Sequence, residues 1–176
     1  MSVQNKTVLT QQAGEVLYFA YGSNMSSRRL QARVPSARVI MRARLMGHQL
    51  RFHKHSRVDN SAKCDAFYTG NSNDEVWGVL FRFNAEERPQ LDKAEGEGYQ
   101  LDKVCLATEE GKVEAVTYLA TLVKAELKPY DWYLRHVLEG AREHALPSDY
   151  IAVIESISTI ADADQGRCQK ELAIYR

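Results

Sequence analysis

The sequence predicts an α+β domain in which helices pack on one side of a curled sheet or small barrel. Two observations carry this. Strand-like runs fill the first two thirds of the chain and helical patterns the last third, the segregation typical of α+β folds. A length of 176 residues is enough for one core and too short for two comfortable ones. Residues 1–14, polar and without period, are read as a flexible lead-in, and residues 15–176 as a single domain.

The elements follow in order. VLYFAY, from Val16, is a mostly buried strand. SSRRLQAR is a short helix, stopped where Pro35 pushes Val34 towards extended backbone. ARVIMRARLMGHQLRF is one long bent strand or two, with Gly47 as the bend. EVWGVLFRF is the clearest strand, with Trp77, Val79, Phe81 and Phe83 on one face. AEERPQLDKAEG is a short helix with Pro89 confined to its first turn and Gly96 ending it. YQLDKVCLATEEGKVEAVTYLAT is a hairpin turning at Glu109-Glu110-Gly111-Lys112. Beyond Pro129, YDWYLRHVLEGAREHA is a helix with Trp132, Val137 and Ala141 near one face. SDYIAVIESIS, capped by Ser148, and DQGRCQKELAIY are further helices.

Composition narrows the function. Lys+Arg and Asp+Glu are 23 each, so the electrostatic footprint of a nucleic-acid or anionic-membrane partner is missing. No apolar run reaches the roughly 18 residues of a membrane span, and MSVQNKTVLTQQAGE lacks the basic start and apolar block of a secretory leader. The expectation is a cytoplasmic protein without nucleic-acid or membrane partners. Cys64, Cys105 and Cys168 are odd in number and have no metal spacing. Cys105, in the strand-like KVCLAT, reads as a small buried thiol.

Several segments could carry chemistry. In Tyr21-Gly22-Ser23-Asn24 a strand ends and a helix begins at Ser26 or Ser27. Gly22 can take the positive φ of a sharp strand exit. Backbone N–H groups freed at such a turn can face a carboxylate, a phosphate or a developing oxyanion; a plain turn is the competing reading. Neither the phosphate-loop nor the Gly-x-Ser-x-Gly pattern is present, so Ser23 has no support as a nucleophile. Glu95, before Gly96, faces the negative end of a helix dipole, and desolvation by aromatics would add to that in favouring a bound proton. Asp92 and Glu97 are rivals that spacing cannot separate from it. His53 and His55 share a strand face and are compatible with a metal pair, but with no third ligand a polar strand end is preferred and no metal is expected. His136 and His144 suit surface or interhelix contacts. Arg28 and Arg29 could pair with a substrate carboxylate, with a solvated helix face the preferred reading.

Taken together, YFAYGSN (18–24), DEVWGV (74–79), LDKAEG (91–96), ATEEGK (107–112) and GAREHALP (140–147) resemble the γ-glutamylcyclotransferase family, in the family's order. The likeness runs from about Val16 to the SDYIAVIESI helix and is closest to the enzymes acting on γ-glutamyl amino acids. It implies a small mixed barrel with flanking helices, no cofactor, and release of 5-oxoproline from a small γ-glutamyl substrate by a monomer or homodimer. On this resemblance Tyr18, Phe19, Ala20, Tyr21, Gly22, Ser23 and Asn24 match the substrate-binding loop, and Glu95 matches the catalytic acid/base. Tyr99 and Tyr133 match aromatic positions near the pocket. One departure concerns Gly96-Glu97-Gly98, which is shorter than the corresponding stretch of mammalian-type enzymes and borders the site. The competing function is a non-catalytic sensor that binds γ-glutamyl or other anionic metabolites.

Overall fold

In the computed structural model, which describes residues 9–176, five strands close into a barrel in the order β1-β5-β2-β6-β7. β1 (Glu15–Ala20) runs antiparallel to β5 (Glu75–Asn84) and meets β7 (Gly111–Ala120) in parallel at Tyr18–Val116. β2 (Arg38–Met46) and β6 (Tyr99–Thr108) complete the circuit by antiparallel pairing. The expected barrel is therefore present and mixed, and closure removes the free strand edges. Outside it, β3 (His48–Ser56) and β4 (Ser61–Tyr68) form a separate antiparallel pair. The helices are α1 (Ser27–Arg33), α2 (Arg88–Glu95), α3 (Asp131–Glu143), α4 (Ser148–Glu155) and α5 (Gln165–Leu172). Among the described residues no helix is long and apolar enough to cross a membrane.

Local sequence explains most of these limits. β1 is buried from Val16 to Ala20, and β5 buries Val76 and Leu80 as well as Val79, Phe81 and Phe83. Both strands are covered on both faces, hence their nearly continuous apolar runs. Gly47 divides β2 from β3 and hands the chain from the barrel to the small sheet. α2 has Pro89 in its first turn and ends at Gly96, whose N–H donates to Asp92 O at 3.0 Å. On α3, Trp132, Val137 and Ala141 are all buried. α3 also bears directly on the turn after β1: a Cβ at Gly140 would lie 2.5 Å from Met25 main-chain carbon.

Two local expectations fail, and one strand had no expectation. Ser148 does not cap α4; it is the first helical residue, after Pro147, and no side chain caps that end. Cys105 is exposed, because the alternation of β6 turns it outward opposite Glu114 while Leu106 turns inward; Cys64 is the buried thiol. β4 was not marked by hydrophobic pattern at all, since its inward residues, Ala62, Cys64 and Ala66, are small. Of the expected lead-in, residues 1–8 lie outside the described residues. Leu9 packs against the core, and Gln11 Nε2 donates to Glu15 O at 2.6 Å.

Candidate active site

β1 ends at Ala20, and a single 3₁₀ turn, Ser23–Met25, separates it from α1. The positive φ expected at Gly22 is not found; its angles are φ −115° and ψ −138°. Glycine is needed there for space instead. A Cβ would sit 3.0 Å from Cys64 Cβ and 3.4 Å from Tyr133 Oη. The main-chain N–H groups of Gly22, Ser23 and Asn24 have no protein acceptor among the described residues. Successive unpaired amides of this kind form an anion-binding concavity.

Glu95 is the last residue of α2, and its carboxylate reaches the same turn. Asn24 Nδ2 donates to Glu95 Oε1 at 2.5 Å and lies 3.2 Å from Tyr18 Oη. On its other side Asn24 Oδ1 accepts from Arg33 Nη1 at 2.9 Å, and Arg33 Nη1 is 3.5 Å from Glu95 Oε1. Thus α1, the 3₁₀ turn and α2 meet in one hydrogen-bonded chain, Arg33–Asn24–Glu95. Glu95 thus has polar partners on one side and, on the other, the aromatic surroundings expected for it. Its two rivals face elsewhere. Asp92 accepts from Tyr118 Oη at 2.5 Å and from Arg88, while Glu97 is exposed and pairs with Arg57 at 3.2 Å.

The turn and Glu95 open on a narrow cleft that Tyr18, Tyr21, Cys64, Tyr99, Tyr118 and Tyr133 also line. Burial raises the hydroxyl pKa of each of these tyrosines, so all five stay neutral. Burial also pushes the Cys64 thiol up to about 12, which leaves it protonated and without nucleophilic strength. Two of the tyrosines bracket Cys64. Tyr99 Oη donates to its carbonyl at 2.5 Å, and its N–H donates to Tyr133 Oη at 3.0 Å. These bonds fasten β4 to β6 of the barrel and to α3. Phe19 and Ala20 are core residues of β1 and line no cavity.

Beyond the cleft lies a wider basin of about 380 Å³, and the two share Ser23, Glu95, Tyr99 and Tyr133 as walls. The basin is rich in cations: Arg29, Arg33, Lys54, Arg57, Lys63 and Lys93 all line it. Arg29 therefore departs from the solvated face expected of it. Its side chain is 13% exposed and bonds Glu171 of α5 at 2.5 Å, whereas Arg28 is exposed. Both histidine pairs serve structural contacts. His53 bonds Asp65 at 2.7 Å and His55 bonds Asn60 at 2.9 Å. His136 joins α3 to Tyr175 at 2.7 Å, and His144 donates to Met25 O at 2.9 Å. Tyr118, Cys64, Arg33 and Lys54 are site residues that the sequence did not single out. Only the strand alternation of YQLDKVCLATEEGKVEAVTYLAT bore on Tyr118; the other three had no local signal.

A mixed barrel with a glycine turn and one carboxylate at its mouth defines the class. The AIG2-like family model matches residues 75–154. Human γ-glutamylcyclotransferase is 34% identical over 149 residues, spanning 80% of this chain and 78% of the human protein. The bovine enzyme of that name is 35% identical over 158 residues, spanning 85% and 82%. A solved structure named γ-glutamyl cyclotransferase superposes with a TM-score of 0.80 at 29% identity, covering 92% of this chain and 98% of its own. The chain belongs to the γ-glutamylcyclotransferase family, a family of enzymes.

Proposed function

We propose that this enzyme releases 5-oxoproline from a γ-glutamyl compound, by attack of the substrate's own α-amine on its γ-carbonyl. The observation that carries the reading is the bond from Asn24 to Glu95, which joins the one carboxylate of the cleft to the free amides of the turn. The reacting groups are already tethered, so the protein's main task is to fold the glutamyl arm into an attacking shape. The α-amine is an ammonium at neutral pH and attacks only after losing a proton, which Glu95 accepts. As the C–N bond forms, the γ-carbonyl oxygen gains negative charge, and the Gly22 and Ser23 amides donate to it. The C–N bond to the leaving amine then breaks as Glu95 returns its proton to that nitrogen, and the extra proton of the ring nitrogen passes to the freed amine, leaving a neutral lactam and an ammonium. No group outside the chain and its substrate enters these steps. The neutral tyrosines form a lining that neither competes for the proton nor repels the oxyanion.

We further read residues 15–176 as one domain, because one buried cluster extends from Val16 to Ile154. Incubation with γ-glutamyl-alanine and assay of 5-oxoproline tests the activity. Tight binding with no release from any γ-glutamyl compound would instead establish a sensor.

A further inference from the structure

We propose that Lys54 holds the carboxylate of the leaving amino acid and thereby selects γ-glutamyl-α-amino acids over γ-glutamylamines. The proposal rests on the cyclotransferase reading and adds to it the residue that reads the leaving group. Lys54 is 3% exposed, yet it lines the basin. Its ammonium makes no hydrogen bond or ion pair among the described residues, and its Nζ lies 4.4 Å from the centroid of the Tyr99 ring. Four of the other five basin cations are occupied, and the fifth, Lys93, is exposed to solvent and has no ion pair among the described residues. Lys63 donates to Asp59 and Ser61, Arg29 bonds Glu171, Arg33 bonds Asn24, and Arg57 pairs with Glu97. Glu95 and Asp59 act on the Lys54 ammonium only from a distance, while burial of the side chain works against its charge; an anion in direct contact would offset that cost.

The position of Lys54 suits this task. The short stretch after Glu95 brings Gly98 (φ +86°) over the end of its side chain, where a Cβ would meet Lys54 Cε at 3.0 Å. β3 is held there by His55 N–H donating to Leu122 O at 2.9 Å and Lys124 N–H donating to His53 O at 2.8 Å. Tyr99 touches Lys54 on the basin side and also forms the wall shared with the cleft. The cleft is far narrower than the basin, about 30 Å³ against about 380 Å³ by the same measure, so only one end of a substrate enters it. With the glutamyl end there, the leaving group lies in the basin. In an α-amino acid the carboxylate carbon is two bonds from the scissile nitrogen, and that nitrogen must be near Glu95 to receive its proton. A γ-glutamylamine brings no charge to this spot and leaves the ammonium bare.

The test compares γ-glutamyl-alanine with γ-glutamyl-alaninamide, which replaces the leaving carboxylate by a carboxamide of the same shape. The wild type should favour the acid in kcat/KM by about 10- to 100-fold, the usual worth of a charge-assisted hydrogen bond. Lys54→Met should bring the acid down to the amide's level while the amide stays within about threefold of wild type, which also reports intact folding. Lys54→Arg should keep part of the preference. An unchanged acid-to-amide ratio in Lys54→Met overturns the proposal. So does an equal loss on both substrates, which would assign Lys54 to the glutamyl end or to Glu95. If the wild type released 5-oxoproline from neither compound, the cyclotransferase reading would fail by itself. The dissociation constants of both compounds for wild type and Lys54→Met would then judge Lys54, and an equal ratio in the two proteins would overturn its assignment. Should Lys54→Met not fold, Lys54→Gln carries the same comparison.

Discussion

The two walls of the pocket are built on opposite principles. The barrel-mouth wall contains neutral hydroxyls, and its polar side chains bond one another: Arg33 to Asn24, Asn24 to Glu95, Tyr118 to Asp92. The wall from β3 and β4 contains cations, and its two lysines, Lys54 buried and Lys63 half-buried, differ sharply. Lys63 is saturated by Asp59 at 2.7 Å, by Ser61 at 2.8 Å and by the rings of Trp132 and Tyr133, each 4.7 Å away. Lys54 is left with a ring face. The difference teaches where each demand is met. A closed barrel fixes reacting groups with little freedom, whereas a small appended sheet can vary its charges without disturbing them.

The comparison can be broken first at Glu95. Glu95→Gln removes the proton acceptor while keeping its size, so 5-oxoproline release should fall about 10²- to 10⁴-fold with little change in the thermal midpoint. Normal turnover in this variant would remove the chemistry from the barrel mouth. The next largest effect falls on stability in the small sheet. Asp59→Asn leaves the half-buried Lys63 ammonium without its counter-charge and should cost about 1–3 kcal/mol in urea unfolding. The same residue supplies a pH arm. Burial tends to raise the Asp59 pKa, but the bonds from Lys63 and Ser61 outweigh it and hold the group below the usual carboxylate range. Its contribution is therefore complete above the ordinary carboxylate pKa and fades as pH falls through the lower folded value. Asp59→Asn should flatten that part of the stability profile, and an unchanged profile would show the pair to be inert.

Smaller changes sharpen the contrast. Asn24→Ala removes the amide that bonds Glu95 and should lower kcat about 10- to 100-fold, an effect to be separated from KM by steady-state kinetics. Gly22→Ala should destabilise the protein by about 1–3 kcal/mol through overpacking against Cys64 and Tyr133, read as a lower urea midpoint together with a raised KM. Since φ at Gly22 is negative, the cause is crowding. Cys64→Ala combined with Gly22→Ala keeps the Cβ that lies 3.0 Å away and should recover little of the loss.

Most of the secondary structure was legible because it depends on neighbours in sequence. The end of α2 followed from Gly96, the bend from Gly47, and the hairpin from Glu109 to Lys112. The candidate site was half legible. Gly22 to Asn24 and Glu95 stood out, yet nothing local separated Glu95 from Asp92 and Glu97; only the packing of α2 beside α1 and the turn does so. β4 was silent because alanine and cysteine leave little hydrophobic signal. Arg29 was misread because a helix of seven residues does not reveal that α5 will cover one of its faces.

By itself, then, the sequence determined the order of strands and helices, the turn after β1, the carboxylate at a helix end and the balanced charge. These follow from backbone preferences and composition, which act over a few residues. The tertiary structure alone decided which acid enters the cleft, that Asn24 ties it to Arg33, and that Lys54 is the buried cation without an acceptor. Those outcomes depend on distances between residues as much as 71 positions apart, and chain closure sets such distances where local propensity cannot.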